Sequence, residues 1–251
     1  MATYHLSIKS SKKGNAATHA NYIARQGKFA KDLDEADLVE QGHGNLPTWA
    51  NDDPLLFWRQ ADKHERANAA VYRELEVSLP NELSTSQHME MISSFVEQHI
   101  GGKPYQFAIH EPLSSLAGVS QPHAHIMVCD RMPDGIERSP EQFFKRFNPT
   151  NPESGGCKKL NGAGSLTELK HNTQSIRKLW ADINNAALEQ AGFRERVDHR
   201  SHKDRGIERL PERHHGRLGV QRMSEADKAK LLQGRKSQGP IGSLPRHKLQ
   251  N

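Results

Sequence analysis

Three histidines occur where a β-sheet would gather them around one ion. His123 and His125 are two residues apart in an alternating segment, so both imidazoles point to one side of a strand. His110 ends the preceding segment of this kind, and a hairpin would return it to their vicinity. Three nitrogen ligands without a fourth protein ligand are typical of a catalytic metal site. The pattern predicts a divalent metal site, although a His-X-His triplet also arises by chance among 15 histidines.

Two carboxylates accompany these histidines on the predicted sheet. Glu74 and Glu76 alternate with Leu75 and Val77, so the two acidic side chains share one face of a strand. If this face carries the metal site, one of them accepts the outer N–H of a ligating histidine or the proton of a nucleophile. The sequence leaves open which one does so, and a solvated pair of glutamates is the alternative.

Tyr22 is the candidate nucleophile. It projects from the polar side of a predicted helix, together with His19 and Arg25. A phenol with a pKa of about 10 is a weak nucleophile at neutral pH, so it needs a base or a cation nearby as it attacks. A divalent ion on a phosphate withdraws charge from phosphorus and screens its oxygens. A tyrosine, a metal site and a basic chain together predict phosphoryl transfer to Tyr22.

The strands that must position these groups are predicted from alternating polarity. Such alternation indicates strands at residues 3–8, 72–79, 105–110 and 123–129. In the third of these, Phe107 and Ile109 are expected to face inward, and Ala108 and His110 outward. Since helices are predicted between these strands, the fold class is α+β.

Capping residues and helical spacing predict four helices. The first covers residues 15–26, with Asn15 as its cap and Gly27 as its stop. The second begins at Pro54, the third covers residues 84–100, and the fourth covers 173–190. A capping box of Ser84 and Gln87 begins the third helix. The stretch 148–165, rich in Gly, Pro and Asn, is predicted to be a long loop.

Length and charge suggest one domain, over residues 1–216, and a basic, flexible tail over 217–251. From residue 194 onward there are 15 Lys and Arg against 7 Asp and Glu, which favours nucleic-acid binding. No apolar run approaches the roughly 20 residues of a membrane span, and no secretory signal begins the chain. Cys129 and Cys157 form no CxxC pair, so a reducing cytoplasm is expected.

Several short motifs together resemble the MobA/MobL family of plasmid mobilisation relaxases. They occur in the order Asn21–Ile23, Gly27–Lys28, Glu65–Asn68, Glu74–Glu76, Ala108–His110, Pro122–Met127, Asp134–Arg138, Phe144–Arg146, Asp198–Arg200 and Gly206–Glu208. The resemblance runs in order from Thr3 to about Gly216. The family belongs to the HUH endonucleases, named for a histidine, a hydrophobic residue and a histidine, here His123 to His125. The resemblance implies a palm-like architecture with a largely antiparallel sheet and flanking helices.

The resemblance also implies an activity. Tyr22 would attack one phosphodiester at the transfer origin of a plasmid, leaving a 5′-phosphotyrosyl link and a free 3′-hydroxyl, and would later rejoin the strand. His110, His123 and His125 would hold Mg²⁺ or Mn²⁺. Single-stranded DNA at the origin would be the substrate, with accessory relaxosome proteins and a type IV secretion coupling protein as partners. The protein would then be plasmid-encoded and act in the bacterial cytoplasm.

Basic side chains near the motifs are the candidate phosphate contacts. They are Lys12, Lys13, Arg25, Lys28, Arg200, Lys203 and Arg205. Two alternatives stay open beside the relaxase, namely a rolling-circle replication initiator of the same superfamily and a non-catalytic DNA-binding protein with a structural metal. In the family, the nucleophilic tyrosine precedes the histidine motif, whereas initiators usually place it after. The position of Tyr22 before His123 therefore favours a relaxase.

Overall fold

A computed structural model of the chain describes residues 4–30, 37–114, 116, 118–160, 166–208 and 216–237. Its strands are β1 (Leu6–Ser11), β2 (Leu38–Gly44), β3 (Tyr72–Ser78), β4 (Tyr105–His110), β5 (His123–Val128), β6 (Arg131–Met132) and β7 (Lys158–Lys159). Its α-helices are α1 (Ala16–Ile23), α2 (Pro54–His64), α3 (Thr85–Phe95), α4 (Pro140–Phe143), α5 (Leu166–Gln190), α6 (Gly216–Gln221) and α7 (Glu225–Ser237). Short 3₁₀ turns cover Gly27–Phe29, Thr48–Ala50 and Pro152–Ser154, and a π-helical turn, Val96–Ile100, follows α3.

Five strands form one antiparallel sheet in the order β1-β3-β5-β4-β2. Strand β5 is central, between β3 and β4. In this register His123 lies opposite His110 on β4 and opposite Ser78 on β3. His125 lies opposite Glu76 on β3. The predicted α+β class with a largely antiparallel sheet and flanking helices is confirmed.

Helices cover both faces of this sheet. One core lies between the sheet and helices α3 and α5, and it contains Leu75 and the fully buried Trp180. The second core lies on the opposite face with α1, α2 and α4, and it contains Trp58 and Ala108. Ala108 lies on the face opposite Phe107 and Ile109, as alternation predicts, but the expectation that this face points outward is wrong. That face is also buried, because three helices pack on it.

Strand β2 was not predicted from the sequence. Two glycines weaken its alternating pattern, yet it pairs with β4 along its length. A Cβ on Gly42 would lie 2.6 Å from the Phe107 ring, and a Cβ on Gly44 would lie 2.7 Å from the Tyr105 ring. The aromatic rings of β4 thus occupy the space above these glycines. A cross-strand contact of this kind has no local sequence signature.

Helix α1 ends earlier than predicted and is capped differently. It ends at Ile23 rather than near Gln26, and Arg25 takes the left-handed conformation with φ 53°. Asn15 occupies the N-cap position, but its side chain makes no capping hydrogen bond. The carboxylate of Asp62 on α2 accepts from the backbone N–H groups at the start of α1 instead. The cap is therefore a tertiary contact, which the local sequence does not reveal.

The predicted starts of the other helices and strands are partly confirmed and partly wrong. The start of α2 at Pro54 and the capping box of α3 at Ser84 and Gln87 are confirmed. Strand β1 begins at Leu6 rather than at Thr3, which lies outside the described residues, and it continues to Ser11. Helix α5 begins at Leu166, seven residues earlier than predicted.

The predicted loop 148–165 contains more structure than expected where it is described. It includes the turn Pro152–Ser154 and strand β7, which pairs with β6 in a small antiparallel ribbon. Residues 161–165 lie outside the described part. In the predicted tail 217–251, helices α6 and α7 extend to Ser237 and residues 238–251 are not described, so the flexible tail stays a prediction. Among the described helices, none has the length and apolarity needed to cross a membrane.

Candidate functional site

The three histidines singled out in the sequence come together on the α1 side of the sheet. Centroids of the His110 and His123 rings are 5.5 Å apart, and the His125 ring lies 5.1 Å from each of them. One nitrogen from each ring lies within 4.8 Å of one nitrogen from each of the others. The cause is the register, which places His110 opposite His123 and His125 two residues along the same face.

Each of these rings uses one nitrogen to hold its orientation. His110 Nε2 donates to the Ile23 carbonyl (2.7 Å), His123 Nδ1 to the Gln121 carbonyl (3.0 Å) and His125 Nδ1 to Glu74 Oε1 (2.7 Å). Carbonyl and carboxylate oxygens only accept, so the bonded nitrogen carries the proton and the other nitrogen keeps its lone pair. The lone pairs of His123 and His125 are thus available, while that of His110 Nδ1 accepts a long hydrogen bond from Arg25 Nη2 at 3.4 Å, which a bound ion would replace.

The surroundings of His110 and His123 favour neutral imidazoles. Burial lowers the pKa of His110 to about 4, and the positive Arg25 adds to this effect. Burial and the neighbouring His125 likewise lower the pKa of His123. Neutral imidazole is the form that binds a metal. The donor set therefore fits a divalent ion held by His110, His123 and His125, with further positions left for water or substrate.

Glu74 connects this cluster to α1. Its Oε1 accepts from His125 Nδ1 and from His19 Nε2, each at 2.7 Å, and the residue is 5% exposed. Burial alone would raise the pKa of the Glu74 carboxyl, but the two hydrogen bonds outweigh it and hold the pKa far below its usual value. Glu74 is therefore a carboxylate that orients His125.

Glu76 has a different setting from Glu74. Its Oε2 accepts from Lys9 Nζ at 2.6 Å, and its side chain is 28% exposed. The hydrogen bond to Glu76 is the main cause that raises the pKa of Lys9, and the charges of Glu74 and Tyr22 add to it. Lys9 thus lies within electrostatic reach of the Tyr22 phenol, where a cation would stabilise a phenolate.

Tyr22 lies on the same side of the sheet as the histidine cluster. Its ring centroid is 5.8 Å from that of His19, whose ring is in turn 6.5 Å from His125. The Arg25 guanidinium lies 5.1 Å from the centre of the Tyr22 ring, and Phe29 contacts that ring edge-on at 5.4 Å. One imidazole therefore separates the phenol ring from the predicted metal ligand His125.

The other three tyrosines are less suited to attack a phosphate. Tyr4 donates its hydroxyl proton to the Arg177 carbonyl and packs against the α5 core. Tyr105 lies across Gly44 at the opposite end of β4 from His110. Tyr72 stacks on His19 at 5.4 Å but is only 6% exposed, against 37% for Tyr22. Tyr72 is therefore the informative control for Tyr22.

Arg25, a predicted DNA contact, is already engaged. Its Nε and Nη2 donate to the two carboxylate oxygens of Asp37 at 2.9 and 2.7 Å, and its Nη1 donates to the Tyr22 carbonyl. Nη2 also lies 3.4 Å from His110 Nδ1. Arg25 thus ties the end of α1 to the residue before β2 and carries positive charge to the site.

The remaining predicted DNA contacts form two groups. Lys12, Lys13 and Lys28 are exposed in the turns that flank α1, and Lys28 Nζ lies 5.0 Å from the Phe29 ring centre. Arg200 and Arg205 both pair with Asp198, whose pKa their contacts lower to about 2, and Lys203 is exposed beside them.

Sequence reasoning missed two residues of this site, Lys9 and Asp37. It placed His19 on the helix face of Tyr22, three residues before it, but gave it no role in the site. Lys9 and Asp37 had no usable signal, since their partners lie on other elements of the sheet and helices.

Comparison with known proteins gives a family match over most of the chain. The sequence profile of the MobA/MobL family matches residues 15–225. The 43 kDa relaxation protein of Salmonella typhimurium is 46% identical over 210 residues, which cover 83% of this chain and 56% of that protein. Mobilization protein A of Escherichia coli is 40% identical over 215 residues, covering 84% and 29%. The chain thus spans less than two thirds of either relative.

Structural comparison agrees with the fold described above. A solved structure described as the molecular basis of vancomycin resistance transfer in Staphylococcus aureus aligns with a TM-score of 0.55. The alignment covers 80% of this chain and 100% of that one, at 24% sequence identity. At this identity the likeness shows a shared fold.

Proposed function

The chain belongs to the MobA/MobL family of mobilisation relaxases, and from this premise we propose that it nicks one DNA strand at a plasmid transfer origin. Tyr22 is the nucleophile, and single-stranded DNA next to the nick site is the substrate. The same residue later returns the strand to a 3′-hydroxyl. The family also favours a relaxase over a replication initiator that shares the chemistry.

One observation carries the proposal. The most exposed tyrosine of the described chain lies on the side of the sheet where three imidazoles converge, and the His19 ring neighbours both that tyrosine and His125. Phosphoryl transfer to a phenol requires a nucleophile and a positive centre at the same phosphate. The neighbouring rings of Tyr22, His19 and His125 support placing both on the α1 side of the sheet.

The proposed cleavage is a transesterification. Tyr22 Oη forms a bond to phosphorus while the bond from phosphorus to the 3′ oxygen breaks. The phenol loses its proton and the departing 3′ oxygen gains one, which leaves a 5′-phosphotyrosyl link and a free 3′-hydroxyl. One phosphodiester replaces another, so attack by a 3′-hydroxyl reverses the step without an outside energy source.

A divalent cation is the proposed cofactor. His110, His123 and His125 would hold it through the nitrogens that keep their lone pairs. Such an ion supplies charge withdrawal from phosphorus and screening of the phosphate oxygens. The family resemblance favours Mg²⁺ or Mn²⁺, while nitrogen donors alone also suit zinc.

The two glutamates of β3 receive different roles in this proposal. Glu74 keeps its negative charge and holds His125 and His19, so it does not take the phenol proton. Glu76 holds Lys9 in place; burial alone would raise the pKa of the Glu76 carboxyl, but the hydrogen bond from Lys9 outweighs it and lowers the pKa, so the phenol proton passes to solvent while Lys9 stabilises the phenolate that remains.

The DNA path and the partners complete the proposal. Lys12, Lys13 and Lys28 contact phosphates around α1, and Arg25 adds charge where the phenol attacks. Arg200, Lys203 and Arg205 form a second contact further along the strand. Accessory relaxosome proteins and a type IV secretion coupling protein are the proposed partners, and the bacterial cytoplasm is the proposed place of action.

The decisive experiment uses a labelled oligonucleotide that carries the cognate transfer origin, with Mn²⁺ or Mg²⁺. Tyr22→Phe removes the nucleophilic oxygen alone, so the covalent protein–DNA adduct should disappear while DNA binding changes by less than about twofold. Adducts are counted on a denaturing gel, and binding is measured by fluorescence anisotropy.

Tyr72→Phe is the matched control, because Tyr72 also stacks on His19 but is buried. Its adduct should persist. Loss of the adduct in Tyr72→Phe and its persistence in Tyr22→Phe would assign the nucleophile to Tyr72. Absence of any adduct from the unaltered chain on origin DNA would favour the non-catalytic alternative.

A further inference from the structure

A cavity of about 820 Å³ lies on the sheet face opposite the histidine cluster. Leu75 on β3 and Val128 on β5 belong to its lining, as do the turn after α3 and the first half of α5. Sites for small ligands usually have volumes of about 300 to 1,000 Å³. The volume therefore suits a small organic molecule, and the proposed DNA chemistry does not use this side of the sheet.

Lys103 brings a positive charge to the lining of this cavity. The residue is 8% exposed and lines the cavity. Burial lowers the pKa of its ammonium group, although the nearby Asp130 partly opposes this. Partial loss of hydration at the ammonium is costly, and an anion bound in the cavity would offset that cost.

The carboxylate in the cavity does not cancel the charge of Lys103. Asp130 receives hydrogen bonds from Arg73 Nε at 2.9 and 3.1 Å, so its charge is matched by that guanidinium. Arg177 on α5 adds a further cation to the lining. The cations thus outnumber the carboxylate, and the cavity is complementary to an anion.

Apolar side chains form the rest of the cavity and its rim. Leu160 and Leu169 line it and are 47% and 42% exposed, which places them among the few large hydrophobic side chains exposed in the described chain. Leu75, Val128 and Ile176 provide apolar walls further in. A bare inorganic anion would leave these surfaces wet, whereas an anion with an apolar body would cover them.

We propose that this cavity is a binding site for a small amphipathic anion. The apolar or aromatic body lies between the sheet and α5, and the carboxylate or phosphate group pairs with Lys103. The cavity lies on the opposite face of the sheet from Tyr22, so the test of this proposal does not depend on the role of Tyr22.

The test compares two fluorescent probes that share an aromatic body. 1-Anilinonaphthalene-8-sulfonate carries an anionic group, and N-phenyl-1-naphthylamine lacks it. The full chain should bind the sulfonate at one saturable site and more tightly than the uncharged probe. Lys103→Met should weaken sulfonate binding by about tenfold or more, the usual loss for a charged hydrogen bond, and leave the uncharged probe unchanged.

Lys178→Met is the matched control, because Lys178 lies on α5 but is exposed and paired with Asp182. It should bind both probes as the unaltered chain does. Should Lys103→Met fail to fold, Thr173→Trp fills the cavity from α5 and should exclude both probes. The proposal would be overturned if a folded Lys103→Met or Thr173→Trp variant bound the sulfonate as tightly as the unaltered chain does.

Displacement identifies the head group of the natural ligand class. 1-Naphthoate and 1-naphthyl phosphate carry the same ring with a carboxylate or a phosphate, so the stronger competitor assigns the group. Failure of both to displace the bound sulfonate probe would contradict an anion site in this cavity.

Discussion

At the scale of single residues, the two glutamates of β3 differ in what they contact. Both were placed on one face by alternation, but Glu74 is buried against His125 and His19, while Glu76 is half-buried and paired with Lys9. A carboxylate behind a ligating histidine raises the basicity of the ring and fixes its orientation. The same residue type therefore serves two proposed purposes, which depend on the partners across the sheet.

This difference predicts unequal effects on metal binding. Glu74→Gln keeps the shape but removes the charge that two histidines contact, so the affinity for Mn²⁺ should fall by about 10- to 100-fold. Glu76→Gln is the control and should change the affinity by less than about threefold, because the Glu76 carboxylate is hydrogen-bonded to Lys9, whereas Glu74 accepts from a ligating ring. Calorimetric titration of Mn²⁺ into each variant measures both values, and equal losses would contradict the role of Glu74.

A second prediction concerns His99, in the turn after α3. Burial lowers its pKa to about 4, and the positive Lys103 adds to this effect. An unfolded histidine has a pKa of about 6.5, so between pH 6.5 and 4 the unfolded chain takes up a proton that the folded chain refuses. Stability should therefore fall as the pH drops through this window, with no such effect above it.

The variant His99→Gln isolates that contribution. Its loss of unfolding free energy between pH 7 and pH 5 should be smaller than that of the unaltered chain by about 1 to 2 kcal/mol. Urea denaturation in chelator at the two pH values measures it. His171→Gln, on the exposed part of α5, is the control and should lose as much as the unaltered chain.

At the scale of elements, α1 is the element on which the proposed chemistry depends, because it carries both His19 and Tyr22. Its start is fixed by Asp62 on α2, and its end by the Arg25–Asp37 pair. A short helix of eight residues has little stability of its own, so these tertiary contacts hold it in place.

Removal of the Asp62 carboxylate should therefore affect stability and cleavage together. Asp62→Ala deletes the acceptor of three backbone N–H groups, and the free energy of unfolding should fall by about 1 to 3 kcal/mol. Asn15→Ala is the control, since the Asn15 side chain makes no capping bond, and it should cost less than about 0.5 kcal/mol. Urea denaturation and the adduct assay measure the two effects, and a larger loss in Asn15→Ala would refute the assignment of the cap.

At the scale of the whole molecule, basic side chains lie on both segments that the proposed DNA path uses. Exposed lysines flank α1, and the basic segment after residue 194 contributes Arg200, Lys203 and Arg205. Phosphate contacts release condensed counterions, so each one adds to the salt dependence of binding. The number of basic side chains that contact phosphate therefore sets how steeply the DNA affinity falls with salt.

The affinity for single-stranded origin DNA should fall steeply with salt. The double variant Lys12→Gln with Lys13→Gln should reduce the slope of log affinity against log salt by about 1 to 2. Lys178→Gln on the α5 side is the control and should leave the slope unchanged. Anisotropy titrations between about 50 and 200 mM salt give the slopes. An unchanged slope in the double variant would place the DNA elsewhere.

The features that the sequence determined are those that depend on near neighbours. Alternation placed His123 and His125 on one face, and local capping residues marked the starts of α2 and α3. Strand period and helix capping act over a few residues, so they leave a signature in a short stretch of sequence.

The tertiary structure alone decided the features that join distant segments. It assigned Glu74 rather than Glu76 to His125, brought Asp62 to the start of α1, and paired Arg25 with Asp37. It also buried the sheet face that had been expected to point outward. These contacts arise from sheet register and from the packing of helices on both faces, and their energies depend on side chains many residues apart, which no local pattern records.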